Sequence, residues 1–278
     1  MTIKKVALVT GASSGIGAET ALRLKEAGFT VYGVARRVNR MEDLARQGVK
    51  VLPLDVTDVE SIRTTVDTIV RESGSIHVLV NNAGYGSYGS IEDVPLEEAR
   101  RQMEVNVFGL ASLTKFVLPH MRAQRAGTII NVSSMGGQMV TPLGGWYHAS
   151  KYAVEALSDA LRIEASQFGI HTVVVQPGSI RTEWGQIAAE KLQRTSSMTG
   201  AYAALADEVS RTLAASSQSD ARNTSDPKVV GKTIVKAATS RRPRTRYRVG
   251  FGAAPVLFLR WLLPDRTFDR VIRGAFGI

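Results

Sequence analysis

The stretch Thr10-Gly11-Ala12-Ser13-Ser14-Gly15-Ile16-Gly17 constrains the fold more than any other part of the chain. It follows a short apolar, β-branched run, Val6 to Val9, and precedes a helical pattern through Ile16, Ala18, Thr20, Ala21 and Leu24 that stops at Gly28. Glycines between a strand and a helix let the backbone turn tightly and bring the unsatisfied amides of a helix N-terminus up to an anion such as a pyrophosphate. The spacing is GxxxGxG rather than the more familiar GxGxxG, so alone it also fits a structural turn. The strand before it and the helix after it favour phosphate binding.

The alternation continues. Strands are predicted at Thr30 to Val34, Lys50 to Leu54, Val78 to Val80, Thr128 to Val132 and Thr172 to Val175. Helices are predicted at about Arg40 to Arg46, Val59 to Ser73, Leu96 to Arg122 and Ala149 to Phe168. Such alternation implies an α/β fold, a parallel sheet with helices on both faces. Residues 183–227, rich in Ala and Ser with helical patches, break the rhythm after Pro177-Gly178, and a weakly patterned insertion there is expected to cover a site. Val229 to Ala238 reads as a further helix and Tyr247 to Val249 as a last strand.

The net charge of +10 is informative once located. Residues 1–227 hold 23 Lys+Arg against 23 Asp+Glu, and residues 228–278 hold 12 against 2, so the tail carries the whole excess. The main body therefore gives no case for a nucleic-acid partner. The absence of cysteine excludes disulfides, thiolate metal sites and thiol catalysis, and fits a cytoplasmic protein. Histidines at 77, 120, 148 and 171 do not cluster with carboxylates, so no metal site is expected. Lys4 and Lys5 precede an apolar run too short for a signal peptide, and no run is long enough to span a bilayer.

Three further places carry chemistry. The second strand ends Ala35-Arg36-Arg37, where an NAD site would present an acid to the ribose 2′-hydroxyl; two arginines instead suit a 2′-phosphate, or are simply solvated. Asp55 ends the third strand and could meet an adenine amino group, or an acid in that region could cap the next helix. Tyr147 and Lys151 are four apart and share a face if their segment is helical. A phenol titrating near ~10 needs a fixed positive charge to act as an acid-base group at neutral pH, and Lys151 could supply it. A packing tyrosine and a solvated lysine are the bland alternative.

Together with Asn81-Asn82-Ala83-Gly84, Asn106 within Val105-Asn106-Val107-Phe108-Gly109, Ser134, and Pro177-Gly178 with Thr182, these motifs resemble the short-chain dehydrogenase/reductase family, in its TGxxxGxG and YxxxK branch, over about residues 4–182. The resemblance implies a Rossmann-type doubly wound sheet in a single catalytic domain, 1–250, holding the insertion 183–227 and followed by an extension, 251–278. It implies that Tyr147 is the acid-base group and that Lys151 lowers its pKa and binds the nicotinamide ribose. Ser134 would hydrogen-bond the substrate oxygen, with Ser133 as the other register, and Asn106 would hold a water in a proton relay. The cofactor would run along Gly11, Ser13, Ser14, Gly15, Ile16 and Gly17. Asp55 and Val56 would lie at the adenine, Asn82, Ala83 and Gly84 at the adenosine ribose, and Pro177, Gly178, Ile180 and Thr182 at the carboxamide. Arg36 and Arg37 favour NADP(H), with NAD(H) as the second option. His148, adjoining Tyr147, is expected to be structural, and a homodimer or homotetramer is expected.

Tyr85, Tyr88, Met135, Met139, Val140, Leu143, Trp146 and Trp184 offer apolar and aromatic surface near the expected nicotinamide, as a substrate pocket or as core. Trp184 is the substrate candidate beside Ser134 and Tyr147. The tail joins the arginines of 241–248 to Phe251–Leu263, apolar apart from Arg260, which suits peripheral contact with an anionic membrane, a helix packed over the pocket, or a subunit contact. The expected activity is NADP(H)-dependent interconversion of a carbonyl and a secondary or primary alcohol on a lipophilic, steroid-, retinoid- or fatty-ketone-like molecule. The alternatives are a 3-oxoacyl thioester reductase, whose acidic carrier the tail could meet, and a catalytically silent NADP(H)-sensing protein.

Overall fold

The computed structural model describes residues 5–196, 200–218 and 221–278; residues 1–4 of the N-terminal stretch and residues 197–199 and 219–220 of the insertion lie outside it. The chain runs β1 (Val6–Thr10), α1 (Gly15–Glu26), β2 (Thr30–Ala35), α2 (Glu42–Arg46), β3 (Lys50–Pro53), α3 (Val59–Ser73), β4 (Val78–Asn81), α4 (Leu96–Met103) and α5 (Leu110–Ala123). It continues β5 (Gly127–Val132), α6 (Gly145–Ser166), β6 (Ile170–Pro177), α7 (Trp184–Ser196), α8 (Ala203–Ala215), α9 (Lys228–Thr239), β7 (Arg246–Val249), α10 (Ala253–Leu262) and α11 (Asp265–Ala275).

The strands form one seven-stranded sheet in the order β3-β2-β1-β4-β5-β6-β7, parallel at every pairing. This is a Rossmann-type doubly wound sheet. Strands buried on both sides read as continuous apolar runs, as β1 does. Side chains alternate across the sheet. Ala7, Val9, Val31, Val80, Ile130 and Val173 meet Ala21 and Leu24 of α1 and Ile234 of α9, whereas Leu8, Val34, Leu79 and Ile129 meet Ile62 and Val66 of α3 and Leu113 and Val117 of α5. The order reverses between β1 and β4, and a crevice forms at the strand C-termini there.

Local departures from the sequence expectation have physical causes. The helix carrying Tyr147 starts at Gly145, not near Ala149. A Cβ on Gly144 would stand 2.7 Å from His148 Nε2 and 2.9 Å from Tyr88 Cε1, so the glycine is there for close packing. The single helix expected over Leu96 to Arg122 is one helical run interrupted by a π turn at Glu104–Gly109, which contains Asn106. The insertion forms a hairpin of α7 and α8 whose buried side chains, among them Ala188, Leu192, Ala206 and Val209, cluster with Tyr88 and Tyr147.

Candidate active site

The crevice floor is stitched together by Thr10. Its Oγ1 accepts from the Asn82 and Ala83 amides, both at 2.9 Å, and donates to Val80 O. The Asn82 side chain donates back to Thr10 O at 3.0 Å and Gly11 O at 3.4 Å. Asn82 thus fixes the glycine loop against β4, a task that is structural at its side chain. The glycines allow close approach within the loop and under Thr182. A Cβ on Gly17 would lie 2.2 Å from Gly11 O, and one on Gly15 would lie 3.1 Å from Thr182 Cγ2. Gly11 and Gly15 take φ of 67° and 53°, the left-handed region that glycine enters freely. No side chain caps α1, and no acid stands in its first turn, so its N-terminal amides and dipole remain available to a phosphate. A dinucleotide pyrophosphate fits this cradle, with Ser13, Ser14 and Ile16 around it.

Arg36 and Arg37 are exposed at the end of β2. The Arg36 charge reaches Asp55. Burial raises the Asp55 carboxyl, but hydrogen bonds from the Thr57 amide and hydroxyl, with Arg36 and Arg101 nearby, outweigh this and hold it below its ordinary range. Helix α3 is capped by Asp58, which accepts from the Glu60 amide at 2.9 Å, so capping is not the work of Asp55. Val56 presses its carbonyl against the π turn, where a Cβ on Gly109 would come within 2.7 Å of it.

The reactive groups lie beyond the ends of β5 and along α6. Lys151 Nζ donates to Val132 O at 2.9 Å and lies 5.9 Å from the Tyr147 ring centroid. Burial lowers the lysine to about 8, opposed by Glu155. Burial also pushes the Tyr147 phenol up to about 12, opposed by its hydrogen bond with the Ser134 side chain. The expected lowering of the phenol by Lys151 is therefore not found in this arrangement, because the ammonium is directed at a backbone carbonyl. Ser134 also accepts from the Gly136 amide at 3.0 Å, starting the turn Met135–Gly137. Ser133 is buried instead beneath Gly137, where a Cβ would stand 2.6 Å from its Oγ.

Asn106 has no side-chain group directed at Lys151. Its Oδ1 accepts from the Tyr85 amide, and its Nδ2 donates to Tyr85 O and to Ser150 Oγ. Ser150 in turn donates to Tyr147 O at 2.7 Å. Asn106 so couples the segment after β4 to the first turn of α6, and a Cβ on Gly84 would meet Asn106 Oδ1 at 3.0 Å. His148 points away from the phenol's chemistry. Its Nε2 accepts from the Thr141 amide at 3.0 Å, which leaves Nδ1 to donate to Gly136 O, also 3.0 Å away. Ser150 and the His148 ties had no sequence signal beyond adjacency to the motifs, and the bonds of Thr10, though it opens the glycine motif, depend on a partner remote in the chain.

The aromatic residues form a cap over the phenol. Tyr88 and Trp184 stand 5.9 Å and 5.1 Å from the Tyr147 ring, and a Cβ on Gly86 would strike the Trp184 indole at 2.4 Å. Met139 is not pocket lining: it packs with Leu257 and Phe268 of the tail, and Val140 is exposed. Gly178 donates to Val249 O and is pressed on Phe251 O, which leads Pro177, Gly178 and Ile180 along the edge of the sheet to Thr182 over Gly15. Glu183 pairs with Arg40 at 2.6 Å. Among the described residues no group of acidic or imidazole side chains is arranged to hold a metal, and no helix is long and apolar enough to cross a membrane.

Comparison with known proteins identifies the family and agrees with the fold. A family model described as short chain dehydrogenase matches residues 5–193. The chain is 39% identical over 277 residues to a 3-ketodihydrosphingosine reductase of Bacteroides thetaiotaomicron, covering 99% of this chain and 98% of that protein. It is 33% identical over 277 residues to an NADPH-dependent 3-dehydrocapnine reductase of Ornithobacterium rhinotracheale, covering 96% and 95%. A crystal structure of a short-chain dehydrogenase from Streptomyces avermitilis superposes with a TM-score of 0.80 at 32% identity, covering 98% of each chain.

Proposed function

The chain belongs to the short-chain dehydrogenase family and is an oxidoreductase of that type, and from that premise we propose that it reduces a lipophilic ketone with NADPH, on a substrate resembling 3-ketodihydrosphingosine. The observation that carries this reading is the convergence of Ser134, Tyr147 and Lys151 beneath the aromatic cap of Tyr88 and Trp184. The cap suits an apolar body, and two of the relatives are named as reductases of 3-ketodihydrosphingosine and 3-dehydrocapnine.

A bound nicotinamide would supply the hydride. The α1 N-terminus would receive the pyrophosphate, and Arg36 with Arg37 would meet a 2′-phosphate through charge-assisted hydrogen bonds, since no acid stands at the end of β2. Asn82 keeps the glycine loop in place, and Pro177, Gly178, Ile180 and Thr182 bound the far end. Ser134 and Tyr147 would both donate to the carbonyl oxygen. As that oxygen gains negative charge, the phenol proton passes to it, and the Lys151 ammonium offsets the charge left on the phenolate. A phenol held up at about 12 is protonated at neutral pH, the form that reduction requires, and it depends on the Lys151 charge to release that proton as the carbonyl oxygen becomes negative. Asn106 acts through Tyr85 and Ser150 by positioning the first turn of α6.

The test is NADPH and NADH oxidation with 3-ketodihydrosphingosine, shorter ketones and 3-oxoacyl thioesters. Turnover should be greatest with the long-chain ketone, and a preference for thioesters would move the substrate class. Tyr147→Phe should lower turnover about 10²–10⁴-fold while NADPH still binds. Arg36→Ala should weaken NADPH about tenfold or more, the worth of a charged hydrogen bond, with NADH unaffected. Equal losses for both cofactors would remove Arg36 from the 2′-phosphate.

A further inference from the structure

Helix α10 is fixed to the body on one side by Ala253 and Leu257, both buried, and by the antiparallel bridge of Ser179 with Phe251. Leu257 packs with Phe268 of α11 and with Met139 and Met135, on the turn that follows Ser134. The other side of α10 is bare. Phe258, Trp261 and Leu262 are spaced three and four apart on one stripe and are 53%, 79% and 55% exposed. Trp261 is the most exposed large apolar side chain among the described residues. The helix that follows is basic: Arg266, Arg270 and Arg273 recur at four and three residues along α11, all three exposed and with no carboxylate in ion-pair contact among the described residues.

We propose that this face docks the protein on an anionic lipid bilayer, with Phe258, Trp261 and Leu262 entering the headgroup boundary and the arginines of α11 meeting the lipid phosphates. Tryptophan with aliphatic and aromatic neighbours beside arginine is the composition that binds at such an interface. The helices are too short to cross it, so the contact is peripheral. A second copy of the chain fits less well. A two-fold interface sets a surface against itself, and here the arginines of one copy would be brought near those of the other, with only Asp265 and Asp269 as acids in residues 228–278. The inference rests on surface chemistry and not on the assigned reaction, and its failure leaves that assignment standing.

The experiment is co-sedimentation of the full chain with vesicles of phosphatidylcholine alone or mixed with phosphatidylglycerol. The protein should bind the mixed vesicles, release as salt rises, and bind the neutral ones weakly. Arg266→Gln/Arg270→Gln/Arg273→Gln should lower binding to mixed vesicles about a hundredfold, from about fivefold per basic residue. Phe258→Ser/Trp261→Ser should also lose vesicle binding, with NADPH binding and melting temperature showing that the fold persists. Equal binding of wild type and both variants, or no binding at all, overturns the proposal. So does a fall in solution mass of the serine variant with vesicle binding unchanged, which would make the face a subunit contact.

Discussion

His148 shows how much one side chain beside the reactive tyrosine can matter without taking part in chemistry. Burial drives its imidazole down to about 4, against the carbonyl of Gly136, and Nε2 must stay unprotonated to accept from the Thr141 amide. The unfolded chain, with an ordinary histidine near ~6.5, binds more protons between these values. The contribution is therefore complete above about 6.5 and is lost as pH falls through that window to about 4, amounting to roughly 3 kcal/mol. Urea unfolding of the wild type should weaken over this range. His148→Gln should be less stable at neutral pH and show a flatter acid limb; an unchanged limb would mean that other groups set the acid response. Because His148 ties together Gly136, Thr141 and α6, the variant should also disturb the Ser134 turn, raising KM and lowering kcat together.

The glycine loop and its flanking elements are where sequence and structure agree most closely. Helix α3 has the bounds Val59–Ser73 read from its pattern, with Asp58 before it and a left-handed Gly74 after it, because its start and stop signals are local. The strands likewise lie within about two residues of expectation, since an apolar run in a parallel sheet has no other place to go. What was not legible depends on contacts across the chain. The early start of α6 rests on Gly144 fitting against Tyr88, the π turn on Gly109 fitting against Val56, and the task of Asn82 on its reach to Thr10. Motif spacing named the residues gathered at the strand ends, but not that Asn106 works through Tyr85 and Ser150. Two glycines separate packing from backbone conformation. Gly17→Ala would drive a Cβ into Gly11 O and should cost about 1–3 kcal/mol and most NADPH affinity. Gly28→Ala meets no atom within 4 Å, so only its φ of 91° is strained; about 1–2 kcal/mol should be lost with cofactor affinity intact. Urea melts and NADPH fluorescence titration distinguish the two.

At the scale of the molecule, the edge strand β7 is tied to α6 by a charged contact. Arg246 reaches Glu155 at 3.0 Å and Asp159 at 2.6 Å, and Gln176 donates to the other Glu155 oxygen at 2.9 Å. Glu155 is buried, so Arg246→Met would remove its ion-paired cation and leave only the more distant Lys151 charge. The loss should approach the lower end of the ~3–5 kcal/mol typical of a broken buried pair, since the guanidinium is partly exposed. A melting curve should show this as a lower midpoint, and Arg241→Ala, at an exposed position, should not move it. The segment from Thr182 to Trp184 has a different reach. Thr182 lies against Gly15, Glu183 is held by Arg40, and Trp184 rests on Tyr147. One short stretch thus touches the phosphate cradle at one end and the proton donor at the other. A dinucleotide settling in the cradle must shift Thr182, and Trp184 moves with it, whereas a ketone arriving first finds the indole over the phenol. Turnover should accordingly follow a compulsory order with the nucleotide first on and last off, visible as oxidised nucleotide competing with reduced nucleotide alone in product-inhibition kinetics.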